Sequence, residues 1–289
     1  MFGIRGRAEG IGNIFRQFLN KIQMTISTFQ EADLVQLPAL QPPDWGDLIP
    51  RFRFFIRSDF CSPIKISENG QLMAIGTNMY HTNSVWLACI VVHPAHRNKG
   101  LGKIITQELI KQIDRRRFPS IYLDATEFGY PVYRKLGFEI ENCYSHFTRE
   151  DALPPHTISP QIVPFEAQFR TQVYKIDSEI SGENRAGILD DFLNSSMLYV
   201  TDDIVLGYYI PNWGDAPVIA IDDQAGIELM KLRFQTQDKA ILPQENSLAI
   251  QFLIQNNFAE YRFSRRMFLG LKKEWMPEKI FNRVSGSLG

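Results

Sequence analysis

Hydrophobic and polar positions follow two successive periods along the chain, and each period predicts a set of elements. Thr25 to Thr28 alternate as a strand does, and Glu31-Ala32-Asp33 open a helix. Gln36 to Asp47, broken by Pro38, Pro42, Pro43 and Gly46, reads as a loop. Arg51 to Phe60 reads as a helix that turns Phe52, Phe55 and Ile56 toward a core. Ile64 to Ser67 alternates, and Asn69-Gly70 follows before the run Leu72 to Met79. Asn-Gly between two such runs predicts a tight hairpin, because both residues tolerate positive φ. A turn at Thr82-Asn83 leads into Val85 to Val92, an almost unbroken apolar run. These runs predict three consecutive antiparallel strands, the last buried on both faces.

The period then changes from 2 to 3.6. Leu101, Ile105, Leu109 and Ile113 form a stripe that predicts a helix over 101–117, with Arg115, Arg116 and Arg117 at its C-terminal end. Pro119 stops it, Ile121 to Ala125 is a strand, Pro131 to Leu136 a short helix ending at Gly137, and Ile140 to Phe147 a strand. The order implies an α/β protein with a mixed sheet and helices packed on it. Four prolines between Leu153 and Phe165 mark a linker. Beyond it lies a second α+β segment with strands at Val205 to Ile210, Val218 to Ile221 and Lys239 to Leu242. Ala240-Ile241-Leu242, a helix, and Asn257-Phe258 echo Ile121-Tyr122-Leu123, a helix, and Gly137-Phe138, which suggests a partial duplication.

Composition narrows the class. The 289 residues are enough for about two domains. With 31 basic against 32 acidic side chains there is no electrostatic footprint for nucleic acid, and no apolar run is long enough for a membrane span. Three widely spaced cysteines argue against a disulfide framework and a metal site, and so for a cytoplasmic protein. Residues 1–23 carry Arg5, Arg7, Arg16 and Lys21 around short apolar stretches, without the continuous core of a secretory signal. They read as an extension or a basic surface helix.

The chemistry lies between the last apolar strand and the long helix, in Val91-Val92-His93-Pro94-Ala95-His96-Arg97-Asn98-Lys99-Gly100-Leu101-Gly102-Lys103. Glycines two apart let successive N–H groups turn to one point, and the following helix N-terminus adds partial positive charge. Together they make a cradle for a pyrophosphate. The pattern alone arises by chance in about one chain in seven of this length; its position between a strand and a helix carries the weight. Neither a Walker loop nor a dinucleotide fingerprint fits, because no Gly-Lys-Ser/Thr and no third glycine follow.

Arg97, Gly100 and Gly102 match the [Arg/Gln]-x-x-Gly-x-[Gly/Ala] loop of the GNAT family of N-acetyltransferases. Tyr133-Arg134-Lys135-Leu136-Gly137-Phe138 resembles that family's Tyr-x-x-x-Gly-Phe helix. The resemblance covers about residues 25 to 148. It implies a GNAT fold over 24–150, a linker over 151–165, and over 166–289 a degenerate GNAT-like half. That half lacks the loop and has Leu253 where Tyr133 is echoed. It implies acetyl transfer from acetyl-CoA to the amine of a small molecule or peptide. By similarity the backbone of Ile90, Val91 and Val92 would hold the pantetheine arm and acetyl carbonyl. The amides of Asn98, Lys99, Gly100, Leu101, Gly102 and Lys103, with Arg97, would hold the pyrophosphate, and Tyr133 would protonate the departing thiolate. A packing role for Tyr133 and a non-catalytic acyl-CoA-binding module stay open beside this reading. His93, His96, Asp124 and Glu127 are the candidates for the base, and none is favoured. A third alternative, a nucleotide-binding regulator, would differ by competition between ATP and CoA.

Overall fold

The computed structural model describes residues 24–43, 45–150 and 157–288; the expectations for residues 1–23 and for the first part of the linker lie outside them. In chain order come β1 (Met24–Thr28), a 3-10 segment (Glu31–Ala39), α1 (Leu48–Arg57), β2 (Cys61–Glu68), β3 (Gln71–Tyr80) and β4 (Ser84–Val92). A 3-10 turn (Pro94–His96), α2 (Leu101–Lys111), β5 (Ser120–Ala125), α3 (Tyr130–Lys135) and β6 (Glu139–Thr148) follow. Next are β7 (Ile162–Pro164), α4 (Arg170–Ser181), α5 (Ala186–Leu189), β8 (Met197–Thr201), β9 (Ile204–Tyr209) and β10 (Val218–Ala220). The chain closes with α6 (Asp223–Arg233), β11 (Lys239–Pro243), α7 (Ser247–Gln255), β12 (Ala259–Gly270) and β13 (Ile280–Asn282). The architecture is mixed α/β, as the sequence implies. Among the described residues no helix is long and apolar enough to cross a membrane.

By contact the described residues form two compact units, one within residues 24–77 and 89–110, the other within residues 78–88 and 111–288. In the first, strands run in the order β1-β2-β3-β4. Asn69 and Gly70, at φ 51° and 79°, make the expected tight turn between β2 and β3. The 3-10 segment runs on through Pro38, where a loop was expected. Gln36 explains the difference: its side chain accepts from Leu72 N at 2.8 Å and donates to Gly70 O at 3.2 Å, so the hairpin holds it in place. Leu101, Ile105 and Leu109 of α2 are buried one turn apart. They pack close because β3 has Gly76, where a Cβ would come within 2.9 Å of Leu109 Cδ1. The helix stops at Lys111, short of the expected 117. Asp114 ends it: its carbonyl accepts from Phe118 N at 2.8 Å and its carboxylate from Arg116 N at 3.0 Å. The three arginines therefore occupy a turn and not a helix end, and Arg115 donates to Pro119 O.

In the second unit the order is β4-β5-β12-β6-β11, with a second sheet β13-β10-β9-β8-β7. β5 lies parallel to β4, and the β5–β12, β12–β6 and β6–β11 pairs are antiparallel. Two strand–helix–strand repeats, β5-α3-β6 and β11-α7-β12, are thus interleaved. β12 lies between β5 and β6, and β6 lies between β12 and β11. The backbone N–H and C=O groups of each repeat's last strand are satisfied by the other repeat.

Polar groups line part of this core. Arg266 of β12 is 1% exposed, pairs with Glu141, and stacks on Trp275, Trp86 and Tyr122 at 4.1, 4.8 and 4.8 Å. Arg185 makes a bidentate pair with Asp177, which also accepts from Tyr208. His81 is buried, and neither ring nitrogen has a partner. Burial lowers its pKa to about 4, partly opposed by the Glu183 carboxylate.

Two predictions follow from these contacts. A chain ended after residue 150 leaves the facing edges of β5 and β6 unpaired and should lose cooperative thermal unfolding and aggregate; a sharp transition by circular dichroism would contradict the interleaving. His81 takes up its proton in the unfolded chain near pH 6.5 but in the folded chain only near pH 4. Its contribution is complete above pH 6.5 and is lost as pH falls toward 4. Between those values the wild type should lose about 3 kcal/mol relative to His81→Leu, read from urea unfolding at each pH.

Candidate active site

In the first unit, β4 ends in a distorted backbone. Cys89 sits in the strand at φ 49°, a left-handed conformation that an L-residue adopts at a cost of about 1–2 kcal/mol. A residue so placed interrupts the strand's regular alternation, so the Ile90, Val91 and Val92 backbone need not continue the ladder. The Cys89 thiol is buried and accepts from Arg51 Nη1 at 3.8 Å. Beyond Val92, His93 caps the 3-10 turn, its Nδ1 accepting from Ala95 N at 3.2 Å. His93 N donates to Met73 O at 2.8 Å. These bonds give His93 a structural task, and His96 stacks edge-on against it.

Arg97 turns back onto the strand end, its Nε donating to Val92 O at 3.3 Å. Asn98 at φ 62° and Gly100 at φ 81° then curl the loop into α2. Among the described residues, the amides of Asn98, Lys99, Gly100, Leu101, Gly102 and Lys103 donate no hydrogen bond. The first donor of the helix is Ile104, to Gly100 O at 3.1 Å. Nothing lies within 4 Å of a Cβ placed on Gly100, and one on Gly102 would meet only Val92 Cγ2, at 3.8 Å. The loop is therefore open, lined with unpaired donors at a helix N-terminus, and lacks side chains that would fill it. Those are the requirements for binding a pyrophosphate.

The second unit holds Tyr133, on α3. Gly129 makes room for its ring: a Cβ there would lie 2.7 Å from Tyr133 Cε2. Burial, and after it the Asp124 carboxylate, push the phenol well above the ordinary tyrosine range. The remaining base candidates are engaged. Glu127 pairs with Arg265 at 2.8 Å and is largely exposed, and Asp124 pairs with Arg283 at 2.5 Å. No cluster of three or more metal-ligating side chains occurs among the described residues.

Comparison with known proteins bears on this geometry. Residues 27–138 match the model of the acetyltransferase (GNAT) family. The likeness to that family lies in this segment. Over 49 residues the chain is 41% identical to an uncharacterized N-acetyltransferase, ycf52, of Porphyra purpurea; the match spans 17% of this chain and 28% of that relative. A candidate acetyltransferase of Pyrococcus horikoshii superimposes at TM-score 0.78, covering 92% of this chain and 96% of its own at 18% identity. A tandem GNAT protein from the clavulanic acid biosynthesis pathway covers 87% of this chain and all of its own length, at TM-score 0.59 and 10% identity. At such identities the two likenesses are likenesses of fold.

Sequence reading of this segment missed Cys89 as a backbone irregularity, because an apolar residue in an apolar run gives no hint of positive φ. It also missed Arg283, which lies far down the chain in a segment without a motif. If the distortion is built into the domain, Cys89→Gly should keep stability to within about 1 kcal/mol. Cys89→Val should lose about 2 kcal/mol, measured by urea unfolding.

Proposed function

We propose that the protein is an N-acetyltransferase that moves an acetyl group from acetyl-CoA to a primary amine. The observation that carries this reading is the open cradle of unpaired amides from Asn98 to Lys103 within a GNAT-family segment. Acyl transfer from an acyl-CoA is the chemistry of that family; acetyl as the acyl group, Tyr133 as the acid and a cytoplasmic setting belong to the proposal. The free thiols of Cys61, Cys89 and Cys143 support the last of these. We assign the GNAT domain to 24–150 and treat 166–289 as a half without its own chemistry, since it has no second loop and carries Leu253 where Tyr133 is echoed.

The residues divide the work as follows. The amides of 98–103 and the dipole of α2 bind the pyrophosphate. The backbone of Ile90, Val91 and Val92 hydrogen-bonds the pantetheine arm and the thioester carbonyl. The acceptor nitrogen forms a bond to the acyl carbon as the C–S bond breaks. Tyr133, held protonated by burial, donates its O–H toward the sulfur on which charge develops. A thiol has a pKa near 8.5, so complete transfer from a phenol above 10 is uphill, and a strong hydrogen bond is the larger part of the help. An amine of pKa near 10.4 is neutral in only about one molecule in two thousand at pH 7, a cost of roughly 4–5 kcal/mol. That proton leaves through a positioned side chain or a chain of water; His93, Glu127 and Asp124 are already engaged, which leaves His96 and water.

Calorimetric titration with acetyl-CoA, with ATP as the control, tests the reading. Saturable binding of acetyl-CoA alone is expected, and Gly100→Glu should abolish it by placing a carboxylate in the cradle. Tyr133→Phe should bind acetyl-CoA as the wild type does while turnover falls about 10²-fold. Unaltered affinity in the first variant would remove the loop assignment, and unaltered turnover in the second would return Tyr133 to a packing role. Binding without thiol release to any amine would favour a non-catalytic acyl-CoA-binding module.

A further inference from the structure

α7 has the composition of a core helix but carries much of its apolar surface outside. Its nine residues, from Ser247 to Gln255, include no charged side chain. A surface helix normally turns charged residues to water, and a helix that is apolar on most sides is normally enclosed. Here only Ala249 and Leu253 are fully buried, one turn apart. Ile250 and Phe252 are half-buried at the margin of the core, and Leu248 and Ile254 are 39% and 60% exposed. The helix is firmly seated, so the exposure is not fraying. Asn246 caps it, accepting from Ala249 N at 2.9 Å and donating to Ile280 O at 3.2 Å, and Phe252 stacks on Phe234. α3, at the corresponding place in the other repeat, has Arg134 and Lys135 in its last turn, so the repeat itself does not require a helix free of charge.

The outer face has a symmetry of its own. Gln251 stands two residues from both Ala249 and Leu253, and so on the opposite side of the helix, exposed. Leu248 and Ile254 lie three residues before and after it, and the exposed Ser247 and Gln255 lie four. Read in either direction from Gln251, the face presents an aliphatic side chain and then a neutral polar one. Ile227 of α6 joins Leu248, Gln251, Phe252 and Gln255 in lining a shallow groove along one side. The charges next along α6, Glu228 and Lys231, close on each other at 2.6 Å.

We propose that this face is a homodimer contact, in which two copies of the chain set α7 against α7, antiparallel about a twofold axis at Gln251; it goes beyond the acetyltransferase reading and does not depend on it. A twofold axis requires a surface that complements itself. The two Gln251 amides meet on the axis, and each can donate and accept. Leu248 of either helix comes level with Ile254 of the other. No like charges are brought together, whereas a partner with a charged face would lose water without gaining an ion pair. A nine-residue helix is only about 14 Å long, so the contact lies at the small end of specific interfaces and the dimer forms at about 10–100 µM.

Sedimentation velocity of the full chain between about 5 and about 500 µM is the test. The wild type should pass from monomer to dimer mass across that range. Gln251→Glu and Gln251→Lys should each stay monomeric, because each places two like charges on the axis, and should keep the wild-type circular dichroism because the position is exposed. Mixed in equal amounts, the two variants should associate at least about tenfold more tightly than either does alone. Ile254→Glu, away from the axis, should also weaken the dimer by about tenfold or more. A wild type that is monomeric throughout overturns the proposal and leaves the face to a partner of other chemistry. A dimer that Gln251→Glu leaves intact overturns it by placing the contact elsewhere, and a mixture that stays monomeric overturns the meeting of Gln251 with its own copy.

Discussion

The interleaving of β6 and β12 is the constraint on which the second unit depends. Each strand is the last of its own strand–helix–strand repeat, and each completes the hydrogen-bonding of the other repeat. A strand with two paired edges inside a core needs both neighbours present, because an unpaired backbone amide or carbonyl there costs about as much as a lost hydrogen bond. The two repeats are therefore interdependent. The same pairing sets Arg266 across from Asp124 and Asn142, residues that lie 142 and 124 positions earlier in the chain. It thereby gives β5 a polar environment that β5 could not assemble from its own repeat.

That environment has a recognisable energetic form. Arg266, Arg185 and Arg283 are all buried, and each has a carboxylate partner and an aromatic face. Guanidinium is weakly hydrated and planar, so it bears burial between rings better than an ammonium would. Removing one partner from such a pair leaves an uncompensated charge and costs about 3–5 kcal/mol.

The first unit works by different means. Its candidate cradle is made from backbone, with the Cys89 distortion at one end and the positive φ of Asn98 and Gly100 at the other. Amides left unpaired at a helix N-terminus require few particular side chains, only the absence of bulk at Gly100 and Gly102. This explains why a short pattern of arginine and glycines identified the loop, while Arg97 itself serves to tie the loop to Val92 O.

Local signals account for what the sequence by itself determined. Asn69-Gly70 specified a hairpin through positive φ, the Leu101-Ile105-Leu109 spacing specified a buried helix face, and Gly100-x-Gly102 specified an open loop. Each is a property of a few neighbouring residues. Tertiary structure decided the rest. The end of α2 depended on Asp114 closing a turn, and the helical course of Glu31 to Ala39 depended on Gln36 reaching the hairpin. β12 is the longest described case: three arginines in Ala259–Gly270 hide its strand character from any hydropathy pattern. Only Glu141, Trp86, Tyr122 and Trp275, brought from distant segments, make one of those arginines a core residue. The pairing of Asp124 with Arg283 was hidden for the same reason. Periodicity reports the side of an element that faces the interior, but an ion pair across 159 positions depends on which strands become neighbours.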